Sequence, residues 1–106
     1  MQKLSDFKRI FNRQDKIISK YFVLWYLDNN LSCNRLGITV SKKFSKKAVS
    51  RNRLKRIIRE SFRLKFEGNN NSSFDIVVMP KKYAYNQENK KLFLDLSFLW
   101  EKLKLV

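Results

Sequence analysis

From Arg51 to Glu60 the chain reads Arg-Asn-Arg-Leu-Lys-Arg-Ile-Ile-Arg-Glu, an order that fits an amphipathic helix and little else. At about 100° per residue, Leu54, Ile57, Ile58, Ser61 and Leu64 gather on one side, and Asn52, Lys55, Arg56, Arg59 and Arg63 on the other. The first side requires a core to pack on. The second holds an amide and four cations with no acid among them, for Glu60 and Glu67 lie to one edge, near Arg53. Solvated helix faces ordinarily mix signs three or four residues apart, so that unlike charges offset repulsion. A face of one sign costs stability unless a polyanion meets it, and the guanidinium fork matches phosphate oxygens. The helix is expected to start near Lys46 or Lys47 and run to about Phe66, which gives on the order of 30 Å of cationic surface.

The whole chain leans the same way. Lys and Arg number 24 against 9 acids, a formal +15 on 106 residues with a sequence pI near 10.3. Such a charge density predicts affinity for nucleic acid, without sequence selectivity. Nine Phe, four Tyr and two Trp in a chain that is 43% hydrophobic are enough for one core. The length is short for two ordinary domains, and two Gly with one Pro leave little for linkers, so residues 1–106 are expected to form a single domain.

Several chemistries are set aside by what the chain carries. There is no His, which excludes histidine-based acid-base catalysis, and the lone Cys33 can form neither an intramolecular disulfide nor a protein zinc site by itself. Gly37 and Gly68 stand alone, so no Gly-rich loop cradles phosphate. No apolar run reaches the roughly 18 residues of a membrane span, and Met-Gln-Lys-Leu-Ser-Asp lacks the apolar stretch of a signal peptide. A cytoplasmic protein with no membrane partner is expected.

Along the chain, Ser5 to Arg13 reads as a short amphipathic helix, with Ser5 as cap and Leu4, Phe7, Ile10 and Phe11 on one side. Lys16 to Ser19 fits a short strand. Tyr21 to Asp28 fits a stronger one, apolar at both parities, with Tyr21, Val23, Trp25 and Leu27 opposite Phe22, Leu24 and Tyr26; both faces are expected to be covered. Turn chemistry from Asp28 to Asn34 then predicts that Arg35 to Ser41 returns as an antiparallel hairpin partner. Gly68-Asn-Asn-Asn-Ser-Ser ends the main helix, and Phe74 to Met79 reads as a buried strand closed by Pro80. The long helix before it makes that strand a candidate parallel neighbour of the previous one, joined by a crossover. Asn86 to about Leu105 predicts a last helix with Leu92, Leu96, Leu99, Trp100 and Leu103 as its stripe. Leu94, Phe98 and Leu105 form a second apolar line, from which a weak homodimer of the free protein is expected. The predicted order, α-β-β-β-α-β-α, is an α+β sandwich of one sheet and flanking helices.

Asp6-Phe-Lys-Arg-Ile-Phe11, Phe22-Val-Leu-Trp25, Leu36-Gly-Ile-Thr-Val-Ser-Lys-Lys43 and Ala48-Val-Ser-Arg-Asn-Arg-Leu-Lys-Arg-Ile-Ile-Arg59 together resemble the bacterial ribonuclease P protein family over most of the chain. Arg-Asn-Arg alone is a weak signal, whereas the ordered set is a strong one. The departures are Ser45, near the place of a common loop Gly, and Trp25, where Tyr is usual. The resemblance implies a left-handed βαβ crossover around the main helix, a ribosomal protein S5 domain 2-like fold that generic handedness rules disfavour. It further implies a catalytic ribonuclease P RNA and precursor tRNA as partners. On that resemblance the RNA is expected to remove the 5′ leader by endonucleolytic hydrolysis with Mg²⁺, none of which the protein alone is expected to bind tightly, and the protein alone is expected to be inactive.

By the same resemblance, a cleft for the single-stranded leader maps onto Phe7, Phe11, Val23 and Trp25, with Asn52, Lys55, Arg56 and Arg59 at its rim. Aromatic platforms beside cations are a common means of holding single strands. By their own spacing Phe7 and Phe11 read sooner as ordinary helix core, whereas Val23 and Trp25 share a strand face that the core does not need. Arg51 and Arg53 flank the cationic face as contacts to the RNA subunit, or Arg53 pairs with Glu60. Lys42, Lys43, Lys46, Lys47 and Arg63 read as phosphate contacts, the lysines alternatively as a solvated loop. A small ribosomal or RNA-chaperone protein would share the charge, but not the aromatic set in this order. An independent protein nuclease would need clustered acids, and Asp6, Asp15, Asp28, Glu60, Glu67, Asp75, Glu88, Asp95 and Glu101 are scattered.

Overall fold

A computed structural model describes residues 15–28, 34–41, 47–66 and 74–104. In chain order these form β1 (Lys16–Ile18), β2 (Phe22–Asp28), β3 (Arg35–Ile38), α1 (Ala48–Phe66), β4 (Phe74–Pro80), a 3₁₀ turn (Lys82–Asn86) and α2 (Asn89–Lys104). The helix expected over Ser5 to Arg13 lies outside the described residues.

The strands make one mixed sheet in the order β1-β2-β4-β3. β2 runs antiparallel to β4, with Trp25 opposite Val77, and β3 runs parallel to β4, with Gly37 opposite Val77. The hairpin expected between β2 and β3 is therefore wrong, because β4 lies between them. The reason is burial: Phe74, Ile76, Val77 and Val78 are all buried, and a strand apolar at both parities belongs at the centre of a sheet. The parallel crossover from β3 through α1 to β4 agrees with expectation.

The core lies on one face of this sheet. Phe22 and Leu24 of β2 and Ile76 and Val78 of β4 meet Leu54, Ile57 and Ile58 of α1 and the whole expected stripe of α2. Leu64 departs from expectation, being 64% exposed, while Phe66 is buried. Toward its end the buried side of α1 turns to Phe62 and Phe66, whose rings lie 5.8 and 5.6 Å from that of Trp100. Aromatic edge contacts there outweigh the simple continuation of the stripe. The Trp100 indole N–H donates to the Ser61 hydroxyl at 2.8 Å, which explains a serine in an apolar line.

α1 and α2 run side by side in the same direction: Arg53 reaches Asn89 near their starts, and Lys65 pairs with Glu101 near their ends. At its other side α2 is pinned to the β1–β2 turn, where Asp95 accepts from the Ser19 hydroxyl at 2.5 Å and from the Tyr21 N–H at 2.9 Å.

Candidate nucleic-acid interface

The apolar residues of α1 are drawn to the core, so its outward side is fixed by helical geometry rather than chosen by each side chain. Asn52, Arg56, Arg59 and Arg63 are exposed and line an open groove of 780 Å³ that also touches Val49, Arg53 and Glu60. Lys55 is half-buried on the same side, and its carbonyl accepts from Arg59 Nε at 3.4 Å. That contact lays one guanidinium along the helix. Among the groove's described lining residues Glu60 is the one acid, beside Arg53, Arg56, Arg59 and Arg63, so positive charge prevails there.

On β2 the alternation separates two faces. Phe22 and Leu24 are fully buried in the core, whereas Val23, Trp25 and Leu27 are half-buried on the opposite face. Trp25 thus lies on the sheet face away from α1's core packing, with Lys16 as its partner on β1. Phe7, Phe11, Lys42, Lys43 and Lys46 lie outside the described residues. Lys47 is exposed where α1 begins, and its carbonyl accepts from Arg51 N at 3.3 Å.

Arg53 is placed differently from its neighbours. Its guanidinium donates to the carbonyls of Tyr85 and Gln87, each at 3.2 Å, and to the side-chain oxygen of Asn89 at 2.6 Å. The partners are more than thirty positions away in sequence, so periodicity could not have found them. Tyr85 is a second residue the sequence did not single out. Its hydroxyl takes a hydrogen bond from Ser41 N at 3.0 Å and lies 3.3 Å from the Ser41 carbonyl. Burial pushes the Tyr85 phenol above its ordinary pKa, opposed by the Ser41 N–H and the nearby Arg51 charge.

Among the described residues no three His, Cys, Asp or Glu side chains gather as metal ligands, and no helix is long and apolar enough to cross a membrane. Hydrogen-bond donors and positive charge dominate the groove, a composition suited to phosphate.

Comparison with known proteins gives consistent matches. The family model for Ribonuclease P matches residues 1–104. The ribonuclease P protein component of Coxiella burnetii is 35% identical over 100 residues, covering 94% of this chain and 81% of that protein. That of Vibrio cholerae is 42% identical over 97 residues, covering 92% and 80%. Among solved structures, the Staphylococcus aureus RNase P protein superposes with a TM-score of 0.87 at 31% identity, covering 98% of this chain and 94% of that one. The Thermotoga maritima protein, solved with 1-(4-fluorophenyl)-2-thiourea, gives 0.81 at 36% identity, covering 93% and 95%.

Proposed function

The chain belongs to the ribonuclease P protein family, and from that membership we propose that its role in the holoenzyme is recognition, the catalysis residing in the RNA. It is the protein subunit of ribonuclease P, an endoribonuclease of tRNA processing, and associates with the ribonuclease P RNA and the tRNA substrate. The observation that carries the proposal is the groove on α1, where Asn52, Arg56, Arg59 and Arg63 offer donors to phosphate. A groove lined chiefly by cations repels a divalent metal, so these residues do not fit Mg²⁺, and the Mg²⁺ of the reaction is assigned to the RNA.

The 5′ leader of precursor tRNA is the single strand for which the two surfaces suit one another. Trp25 lies half-buried on the sheet face away from the core packing of α1, and α1 offers cations; stacking beside cationic groups holds unpaired nucleotides without reading their sequence. By family resemblance Phe7 and Phe11, which lie outside the described residues, belong to the same leader site. The protein thereby favours precursor over mature tRNA, and it acts in the cytoplasm. The free protein forms a weak homodimer through Leu94 and Phe98, which are 66% and 47% exposed on α2, and Leu105, which lies outside the described residues. Loss of concentration-dependent sedimentation in Phe98→Asp supports that dimer; a strictly monomeric wild type removes it.

Reconstitution of the purified chain with a bacterial ribonuclease P RNA tests the main reading. The protein alone is expected to cleave nothing, and its addition to the RNA lowers the Mg²⁺ needed for 5′ processing. Cleavage at the tRNA 5′ junction by nuclease-free protein without RNA would overturn it.

A further inference from the structure

Arg53 lies within the cationic segment of α1, between Asn52 and the groove cations Arg56 and Arg59, yet its donors are turned to the C-terminal part of the chain. One Nη donates to the Gln87 carbonyl and the Asn89 side chain, and the other donates to the Tyr85 carbonyl. Tyr85 and Gln87 stand in and just after the 3₁₀ turn, and Asn89 opens α2. Carbonyls leaving a short helical turn lack partners of their own and need an outside donor. A planar fork meeting three oxygens at once fixes angle as well as distance, which a lysine ammonium at the same place would not do.

The turn is tied at a second point. The Tyr85 ring is buried, and its hydroxyl holds the backbone of Ser41, seven positions before the start of α1. Hydrogen bonds thus run from α1 through Arg53 to the turn, and from the turn through Tyr85 to the stretch that leads into α1. The far end of α1 is tied to α2 by the Lys65–Glu101 pair, whose glutamate is solvent-exposed, and by the buried hydrogen bond from the Trp100 indole to Ser61. Core packing of Leu54, Ile57 and Ile58 fixes which side of α1 faces out, and because Asn52, Arg56 and Arg59 share one rigid helix, a clasp near its start adjusts the direction of all three together.

We propose that Arg53 is a positioning residue and not a contact to RNA: by clasping the Lys82–Asn86 turn and the start of α2, it sets the angle at which Asn52, Arg56 and Arg59 meet phosphate. This rests on the reading of the α1 groove as an RNA interface. It separates Arg53 from the neighbouring cations in a way that composition and helical phase do not.

The test uses the holoenzyme reconstituted from the full chain and a bacterial ribonuclease P RNA. Affinity for precursor tRNA is measured across a KCl series at a temperature where each variant is folded by circular dichroism. The proteins are wild type, Arg53→Gln, Asn89→Ala, the double variant, and Arg59→Ala as the reference for a direct phosphate contact. Arg53→Gln is expected to weaken binding about tenfold, the effect of losing hydrogen bonds to a charged group, with the salt slope unchanged. Asn89→Ala, which removes one acceptor of the clasp, gives a smaller loss, and the double variant is no worse than Arg53→Gln alone.

A slope shallower by about 0.7 to 0.9 for Arg53→Gln, with additive losses in the double variant, makes Arg53 a phosphate contact and overturns the proposal. Unchanged affinity with only a lower melting temperature overturns it also, since the clasp would then be merely structural. Should Arg53→Gln not fold, Asn89→Ala decides alone: wild-type affinity overturns the proposal, and a weaker affinity at an unchanged slope supports it. If Arg59→Ala leaves both affinity and slope at wild-type values, it is the groove's assignment to RNA that fails, whatever Arg53 does.

Discussion

Arg35 closes on Asp75 across the parallel β3–β4 ladder, its Nε and Nη2 each 2.6 Å from a different carboxylate oxygen. Asp75 is fully buried in the central strand, and the Arg35 side chain is 35% exposed. A charge that water cannot reach depends on its partners, and the bidentate geometry also holds β3 in register. Arg35→Ala should lower the free energy of unfolding by about 3 kcal/mol, the low end for stripping a buried carboxylate of its partner, because water reaches this pair from one side. Urea denaturation measures it, and a loss near zero would mean that other contacts suffice for Asp75.

Trp25 offers its ring on the half-buried face of β2 while the core is supplied by Phe22 and Leu24. Trp25→Ala is expected to weaken binding of leader-containing tRNA by about 1 to 3 kcal/mol and to leave mature tRNA almost unaffected. Trp25→Phe loses much less, since a π-face remains. Parallel titrations with precursor and mature tRNA check this, and equal losses for both would assign Trp25 to packing.

The two sides of α1 should respond to different measurements. Arg56→Ala or Arg59→Ala reduces RNA affinity and makes its salt dependence shallower by about 0.7 to 0.9 per lost phosphate contact, with stability little changed. Leu54→Ala, at a fully buried position, costs about 2 to 5 kcal/mol of stability instead. Unchanged salt slope in Arg59→Ala together with unchanged stability in Leu54→Ala would contradict the helical phase.

Tyr85 predicts an alkaline limit. Its folded-state pKa is raised above the ordinary phenol value, chiefly by burial. Its contribution to stability is therefore fully present below the unfolded pKa of about 10, and it is lost as pH rises through the higher folded value. Thermal melts from neutral pH upward should fall more steeply for wild type than for Tyr85→Phe, which has no proton to lose. Parallel curves would show that the phenol does not couple to folding.

The parts of the fold written in local periodicity were legible in the sequence. Leu92, Leu96, Leu99, Trp100 and Leu103 repeat at helical spacing and are all buried, as are Leu54, Ile57, Ile58 and Ser61. Strand order was not legible, because consecutive strands with a turn between them suggest a hairpin, while the choice of β4 as common neighbour is made by burial across the whole sheet. Leu64, expected in the buried stripe, is exposed for a similar reason: the ring of Trp100, remote in sequence, decides which flank of α1 is covered and draws in Phe66 instead. A break before α2 was missed as well, since the turn at Lys82–Asn86 is held by Arg53 and by Tyr85 on Ser41 rather than by its own pattern. On the candidate interface, the outward placing of Asn52, Arg56, Arg59 and Arg63 follows from phase alone. The separate duty of Arg53 does not, because a guanidinium's partners are a matter of tertiary reach.

The central position of β4 bears on synthesis. β2 and β3 each take β4 as a ladder partner, and β4 is the last strand to leave the ribosome. A nascent chain ending before Phe74 carries the complete cationic helix while β3 still lacks its neighbour in the sheet. For that interval the apolar side of α1 has neither β4 nor α2 to cover it, and its basic side already faces an RNA-rich surface. Released chains truncated before Phe74 should therefore differ sharply from the full chain in protease resistance, with β2 and β3 protected together only when β4 is present.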